Sequence, residues 1–386
     1  MSSVEVLLWF CLLLVFYAYT GYPLLVTLLS LFFRSEVRRD ERYEPRVTLL
    51  IAAYNEEKDI EEKLKNSFAL DYPKDKFEIV VASDGSTDKT DEIVRQYADN
   101  EAGVRVVLHQ VEGRLGKTAA QNSAVKVCQG EIIIFSDAAS MYDQGVVRAM
   151  VRNYADPRVG AVSGMYKYVN KAGGSVGFAT ILFWNLENFI KSRQTRIRTI
   201  TGCCGCIYSV RKSLYEELPT AIISDLVEPL MILKKGYRIV FEPQALAYEE
   251  TTGHSSEEFN MRIRVIVRGM NGILFARQLL NPLKYPFVAL QLISHKIMRW
   301  LVPVFCVVIF VTNAMLVSES QLYSILFGLQ IIFYLLAIIG FFLERKGIHK
   351  KVFYLPFYFC IVNTAALISI FKVFQGQKIV AWQTKR

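Results

Sequence analysis

Glu131-Ile132-Ile133-Ile134-Phe135-Ser136-Asp137-Ala138-Ala139-Ser140 holds a short apolar run that stops abruptly at a carboxylate followed by small residues. A run this apolar suits a strand buried on both faces, as a parallel sheet requires. In open α/β sheets, ligands sit beyond the carboxyl ends of such strands. Asp137 therefore stands where a ligand would be met, with Ala138 and Ala139 leaving room beside it. Alone, a strand-end Asp more often merely caps the next turn. The flanking segments decide between the two.

Upstream of this stretch the chain alternates regularly. Val47 to Ala53, Phe77 to Ser83 and Val104 to His109 read as strands, joined by Glu131 to Ser136. Glu56 to Phe68, Asp88 to Ala98 and Lys117 to Val127 carry helical periodicity and mixed charge. Such alternation implies an α/β fold with a mostly parallel sheet and helices on both faces. All of these strands but the third end in polar or small residues: Ala53-Tyr54-Asn55-Glu56, Ser83-Asp84-Gly85-Ser86 and Ser136-Asp137. Ends of this kind on one edge favour a nucleotide-binding crevice over unrelated loops. Gly113-Arg114-Leu115-Gly116-Lys117-Thr118 imitates a phosphate loop, but the Walker pattern needs a Gly where this chain has Val111. Lys117 at a helix start can still meet a phosphate through its charge and the helix N-terminus.

Working outward, Val4 to Phe33 is almost uninterrupted apolar and aromatic sequence with only Glu5 charged, long enough to cross a bilayer. A signal peptide fits worse, since no Lys or Arg precedes the apolar core and no small-residue cleavage site follows it. Arg34, Arg38, Arg39, Arg42 and Arg46 come next, which by the positive-inside rule puts the N-terminus outside and the middle of the chain in the cytosol. Mean hydropathy is +0.26, high for a soluble enzyme, yet 21% charged residues is too many for membrane spans alone. The chain reads as a polar middle held by membrane segments at both ends. Its net charge of +9 is mostly juxtamembrane and points to a membrane surface or an anionic substrate. Basic and aromatic residues are not interleaved as in a nucleic-acid reader, so nucleic acid is not an expected partner. Seven cysteines, three of them at Cys203, Cys204 and Cys206, suggest a reducing compartment without a disulfide framework. No second Cys/His pair stands at zinc-ligand spacing.

Past the apolar run, Val159 to Gly164 predicts another strand, and Ser175 to Arg198 a helix with a basic tail suited to a membrane surface. A small-residue loop, Thr201-Gly202-Cys203-Cys204-Gly205-Cys206, leads into a further strand. Ser224-Asp225 precedes a helix running to Lys235, then a strand over Gly236 to Glu242 and a basic helix over Glu257 to Gly269. Two clear spans follow at about 297–317 and 322–343. The segment 352–374 contains Pro356 and Asn363 and has Lys residues at both ends, so it is read as an interfacial or re-entrant helix. Residues 1–34 are thus expected to form an N-terminal span, 45–285 a cytosolic domain, and 286–386 a membrane region with a cytosolic tail from 375.

Taken together in their order and spacing, these segments resemble membrane-integrated, inverting glycosyltransferases of family 2, the group of cellulose, chitin, poly-N-acetylglucosamine and hyaluronan synthases. The resemblance rests on Ala52-Ala53-Tyr54-Asn55-Glu56-Glu57, Ser83-Asp84-Gly85-Ser86-Thr87-Asp88, Gly116-Lys117 with Asn122, and Phe135-Ser136-Asp137-Ala138. It continues through the Gly202 to Arg211 loop, Asp225, Ser294-His295-Lys296 and Arg299-Trp300. It implies a GT-A (Rossmann-like) domain, a nucleotide-sugar donor (usually a UDP-sugar), and a bacterial inner-membrane setting with membrane lipid around it. Ala53, Tyr54, Glu56, Asp84, Lys117, Asp137 and Arg264 would then bind the donor, and Gly202, Cys203, Cys204 and Gly205 the acceptor. Asp225 would be the base and Asp137 the ligand of a Mg2+ or Mn2+ ion. Trp382, in Trp382-Gln383-Thr384-Lys385-Arg386, resembles a gating tail that would close over the donor.

Two departures stand out. The family's Asp-x-Asp motif reads Asp137-Ala138-Ala139, and its Gln-x-x-Arg-Trp motif reads Met261-Arg262-Ile263-Arg264-Val265. Glycosyl transfer to a growing glycan is the first expectation. Single transfer to a polyprenyl-phosphate-linked or glycolipid acceptor is the second, and a non-catalytic membrane scaffold of a polysaccharide assembly system the third.

Overall fold

The computed structural model describes residues 1–98, 103–169, 175–250, 255–348 and 350–379. Strands β1 (Val47–Ala53), β2 (Phe77–Ser83), β3 (Arg105–Gln110) and β4 (Ile132–Asp137) lie parallel, in the order β3-β2-β1-β4. Their register sets Ala53 beside Ser83 and Ala52 beside Asp137, so the ligand-facing ends share one edge.

Beyond β4 the sheet changes character. Strands β5 (Met141–Tyr142), β6 (Val159–Val169), β7 (Ile207–Arg211) and β8 (Arg238–Glu250) extend it to eight strands, ordered β3-β2-β1-β4-β7-β6-β8-β5. Strand β7 runs antiparallel to both β4 and β6, while β6 and β8 are parallel. Six of the eight strands, β1 to β4 with β6 and β8, therefore run the same way, as a mostly parallel sheet requires, and only β7 and the short β5 are reversed. The chain reaches β7 from the Gly202–Cys206 loop, which already lies at the ligand edge, so the strand has to run away from that edge.

Helices α1 (Ser3–Phe16) and α2 (Tyr22–Phe32) precede the sheet. Helices α3 (Ile60–Phe68), α4 (Thr90–Gln96), α5 (Lys117–Val125) and α6 (Val146–Val151) connect its first half. Side chains alternate across the strands, as a pleated sheet dictates. Leu49, Ile51, Ile79 and Ile134 face the cluster that includes Ile60 and Leu64 of α3 and Val146 of α6. Leu50, Val80, Ile133 and Phe135 face the cluster of Ala120 and Ala124 of α5 with Val227 and Leu230. Each such side chain, fully buried, contributes roughly 2 kcal/mol by area. Both sheet faces are thereby covered, and the strand ends are left as the place for chemistry.

The second half adds α7 (Ser175–Ile197), α8 (Ser224–Lys234), α9 (Ser255–Phe275), α10 (Pro286–Gln291), α11 (Met298–Leu316), α12 (Gln321–Arg345) and α13 (Lys351–Phe374). Among the described residues, four helical stretches are long and apolar enough to cross a membrane: Ser3–Phe32, Pro286–Leu316, Gln321–Arg345 and Val352–Phe374. The first begins with a capping box, in which the Glu5 amide donates to Ser2 Oγ and the Ser2 amide to Glu5 Oε2. Its halves meet in a π turn over Tyr17–Gly21, where the Tyr22 amide reaches the Tyr17 carbonyl just ahead of Pro23, which has no amide to donate.

The segment 352–374 forms part of one unbroken helix, α13, packed against α9, α11 and α12. Asn363 is 7% exposed, and its amide donates to the Phe359 carbonyl at 2.9 Å and the Tyr19 hydroxyl at 3.4 Å. The polar group that argued against a span is thus satisfied within the helix bundle. Residues 380–386, including Trp382, lie outside the described residues.

Candidate active site

The edge is organised by its turns. Gly85, at φ +70°, follows Asp84, and a Cβ on it would lie 2.7 Å from the Gly113 carbonyl oxygen. That close approach lets the β2 turn clasp the loop before α5. Asp84, 1% exposed, accepts from the Leu115 amide at 2.9 Å and the Gly116 amide at 2.8 Å. Its carboxylate therefore builds the loop that launches Lys117. Nearby, the Arg114 guanidinium covers the Tyr54 ring at 4.2 Å. The Glu56 amide donates to Thr90 Oγ1 at 2.8 Å, and Ala53 ends β1 with its carbonyl accepting from the Asp84 amide at 3.0 Å.

Lys117 crosses the crevice. Its ammonium bonds Asp137 Oδ1 and donates to the Gly205 carbonyl at 3.1 Å. Burial works to lower the Lys117 pKa, but the Asp137 charge outweighs it and leaves the ammonium raised. Gly205 sits against Asp225 so closely that a Cβ there would lie 2.7 Å from Asp225 Oδ2. Asp225 stands in the first turn of α8, which begins at Ser224 and has no side-chain cap. Asp225 therefore does not cap the helix. Its Oδ1 is buried with no hydrogen-bond partner. Burial pushes the Asp225 carboxyl up, with Lys117 and Lys191 pulling the other way.

These groups open onto a cavity of about 2030 Å³. Glu56, Lys117, Asp137, Gly202, Cys203, Cys204, Gly205, Asp225 and Arg264 all line it, whereas Ala53, Tyr54 and Asp84 do not. Arg264, on α9, is lowered by burial and held up by Asp137. Arg268, one turn on, is pushed down to about 10 by burial and donates to the Ile222 carbonyl at 2.6 Å and to Thr118 Oγ1 at 2.8 Å. Val265 and Ala139, which replace the family's tryptophan and second acid, also line the cavity. The sulfurs of Cys204 and Cys206 lie 3.5 Å apart as free thiols. Among the described residues no group of three His, Cys, Asp or Glu side chains is placed to hold a metal. Asp137 alone is the acid at the expected metal position. One carboxylate completed by diphosphate oxygens and water is the usual way Mg2+ is held beside a nucleotide, so Asp137 fits such an ion.

Two features escape sequence reading. Lys63, on the charged-looking helix α3, is fully buried, bonds the Ser140 carbonyl beneath the Asp137 turn, and is pushed down to about 7 by burial. Glu187 of α7, 4% exposed, pairs with Arg299 and with His295 at 3.1 Å from the far side of the cavity. The helical spacing of Lys63 with Ser67 and Ile60 was the available signal for the first. Glu187 carries no local signal, since its partners are more than a hundred residues away.

Residues 48–219 match the family model described as Glycosyl transferase family 2. The chain is similar to poly-beta-1,6-N-acetyl-D-glucosamine synthase of Staphylococcus aureus strain COL, 30% identical over 207 residues, covering 52% of this chain and 49% of the relative. It is also similar to probable glycosyltransferase YdaM of Bacillus subtilis strain 168, 29% identical over 223 residues, covering 55% of this chain and 52% of that one. The matched region thus spans about half the length of these curated relatives. Among solved structures, the mannosyltransferase PcManGT from Pyrobaculum calidifontis, in complex with GDP-Man and Mn2+, superimposes with a TM-score of 0.72 at 23% identity, over 96% of this chain and 100% of that one. That likeness concerns the fold, a GT-A-like sheet with helices at both ends. Residues 48–219 are a glycosyltransferase family 2 domain, set here among apolar helices long enough to cross a membrane.

Proposed function

We propose that this chain transfers a sugar from a nucleotide-sugar donor, with inversion, to a hydroxyl of a glycan or lipid-linked acceptor at a membrane. The observation that carries this reading is the buried, unpartnered Oδ1 of Asp225, on a carboxylate packed close against Gly205, whose carbonyl accepts from Lys117. A carboxylate with an unfilled lone pair and a pKa raised by burial is suited to take a proton. The acceptor oxygen bonds to the anomeric carbon as the carbon–phosphate oxygen bond breaks. The acceptor proton passes to Asp225, and the nucleoside diphosphate leaves.

Lys117 and Arg264 supply fixed positive charge where the leaving diphosphate gains its negative charge. A Mg2+ or Mn2+ ion held by Asp137 would add Lewis-acid stabilisation of the same group. The relatives' names support glycosyl transfer, and that of the synthase supports a glycan product. The family fold contributes the donor crevice. Purified membranes carrying the chain, incubated with a panel of nucleotide sugars, should consume at least one and yield a sugar-extended product. Consumption of none would overturn the reading.

A further inference from the structure

The cavity does not end at Asp225. It runs on to α7, α11 and α13, where its lining turns from catalytic side chains to Tyr19, Leu355, Tyr358, Phe359 and Val362. At this junction stand Lys191, Lys296 and Arg299, the last two on the carboxylate of Glu187. Three cations thus share Glu187 and the nearby Asp225 as their acids, and His295 adds no negative charge. Lys191 is 5% exposed, and among the described residues it makes no hydrogen bond or ion pair; the Trp184 ring lies 5.7 Å from its ammonium. Lys296 reaches Glu187 only at 4.0 Å. Arg299 spends one nitrogen on Glu187, while its Nε and Nη2 are buried without partners. Burying unpaired cations costs free energy that an arriving anion offsets.

This cluster is distinct from the donor side. Lys117 pairs with Asp137, whereas Lys296 and Arg299 pair with Glu187 of α7; Asp225, the base, lies between them and feels Lys117 as well as Lys191 and Lys296. The surplus charge thus lies beyond Asp225 from the Lys117–Asp137 pair, with the largely aromatic and aliphatic lining of α13 behind it. Resting on the glycosyl-transfer reading above, we propose that Lys191, Lys296 and Arg299 form an anion site for the phosphate of a lipid-linked sugar acceptor. The acceptor's hydrocarbon lies along α13, and its sugar hydroxyl reaches Asp225. The anchoring phosphate takes no part in bond making.

The test uses the full chain in neutral detergent, with the tryptophan fluorescence of Trp184 and Trp300, which line the cavity, as the readout. Farnesyl phosphate should bind at least about tenfold more tightly than farnesol, the scale of a charge-assisted contact. The preference should vanish in the Lys191→Gln/Lys296→Gln double variant and persist in the Lys191→Arg/Lys296→Arg one. Equal binding of phosphate and alcohol, or a preference that survives the glutamine pair, overturns the site. Displacement of the probe by equimolar inorganic phosphate or phosphatidylglycerol overturns its assignment to a lipid-linked acceptor. Release of nucleoside diphosphate from nucleotide sugars, measured on the same preparation, separates the two readings. A phosphate preference without any such release keeps the anion site and removes the transferase reading; release without the preference does the reverse.

Discussion

The two edges of the parallel sheet carry buried carboxylates in opposite conditions. At the amino edge, Glu78 is 5% exposed; it accepts from Thr48 Oγ1 and from the Gln129 amide, each at 2.5 Å, and pairs with Arg105. At the carboxyl edge, Asp225 keeps an oxygen with no partner, in a cavity lined by Lys117 and Arg264. The first is a saturated acid that ties strands to the loop before β4. The second is held short of saturation in a cavity, where the cost of a buried unfilled lone pair is offset when a proton or ligand reaches it.

The sharpest way to break this comparison is Asp225→Asn. Transfer should fall by at least about a hundredfold, the scale of general base catalysis, with little change in donor affinity. Stability should not fall with it. Because the folded pKa of Asp225 is raised, the favourable contribution of its protonated form is present below the ordinary value of 3.8 and lost as pH rises through the folded pKa. At neutral pH the ionised carboxylate is therefore a penalty that asparagine removes. A melting temperature well below that of the wild type would place Asp225 with Glu78 among structural acids.

Glu78→Ala tests the other edge. Leaving the Gln129 amide and the Thr48 hydroxyl without their acceptor should cost about 2 kcal/mol of stability, read from denaturant unfolding, while transfer per folded molecule stays near wild type. Gly205→Ala should act between these extremes. A Cβ pressed 2.7 Å from Asp225 Oδ2 must shift the carboxylate or the loop. Steady-state kinetics should show turnover down about tenfold, as expected for a small misplacement of a catalytic group.

The smallest expected effect concerns Glu228 on α8, fully buried and pushed up to about 8 by burial. Its protonated form contributes stability below about pH 4.5, and that contribution is lost as pH rises to about 8. Melting curves across that window should slope downward for the wild type and be flatter for Glu228→Gln. An unchanged slope would show that Glu228 is ionised without penalty, and burial alone would then no longer separate structural from reactive acids here.

Sequence patterning located the first four strands to within a residue or so, the helix start at Lys117, and the strand-end position of Asp137, because each is a property of one segment's own periodicity. It misjudged what lies between segments. Strand β7 was placed correctly but not oriented, since its direction depends on where α7 delivers the chain. Asp84, read from sequence as a donor contact, also builds the α5 loop, whose Leu115 and Gly116 amides donate to its two oxygens, a partnership between segments that neither one's periodicity shows. Asn363 looked too polar for lipid until Tyr19, 344 residues away, supplied a partner.

The sequence by itself determined the α/β alternation, the apolar stretches long enough for a bilayer, and the types of side chain delivered to the ligand edge. These follow from residue order, local propensity and hydropathy. Only the tertiary structure decided which acids are saturated and which cations are left in surplus. Whether Asp225 keeps a lone pair, or Lys191 lacks an anion, depends on groups from α5, α7, α8 and α11 meeting around one cavity. The free energy of a buried charge is set by those neighbours and by the exclusion of water, which no single segment encodes.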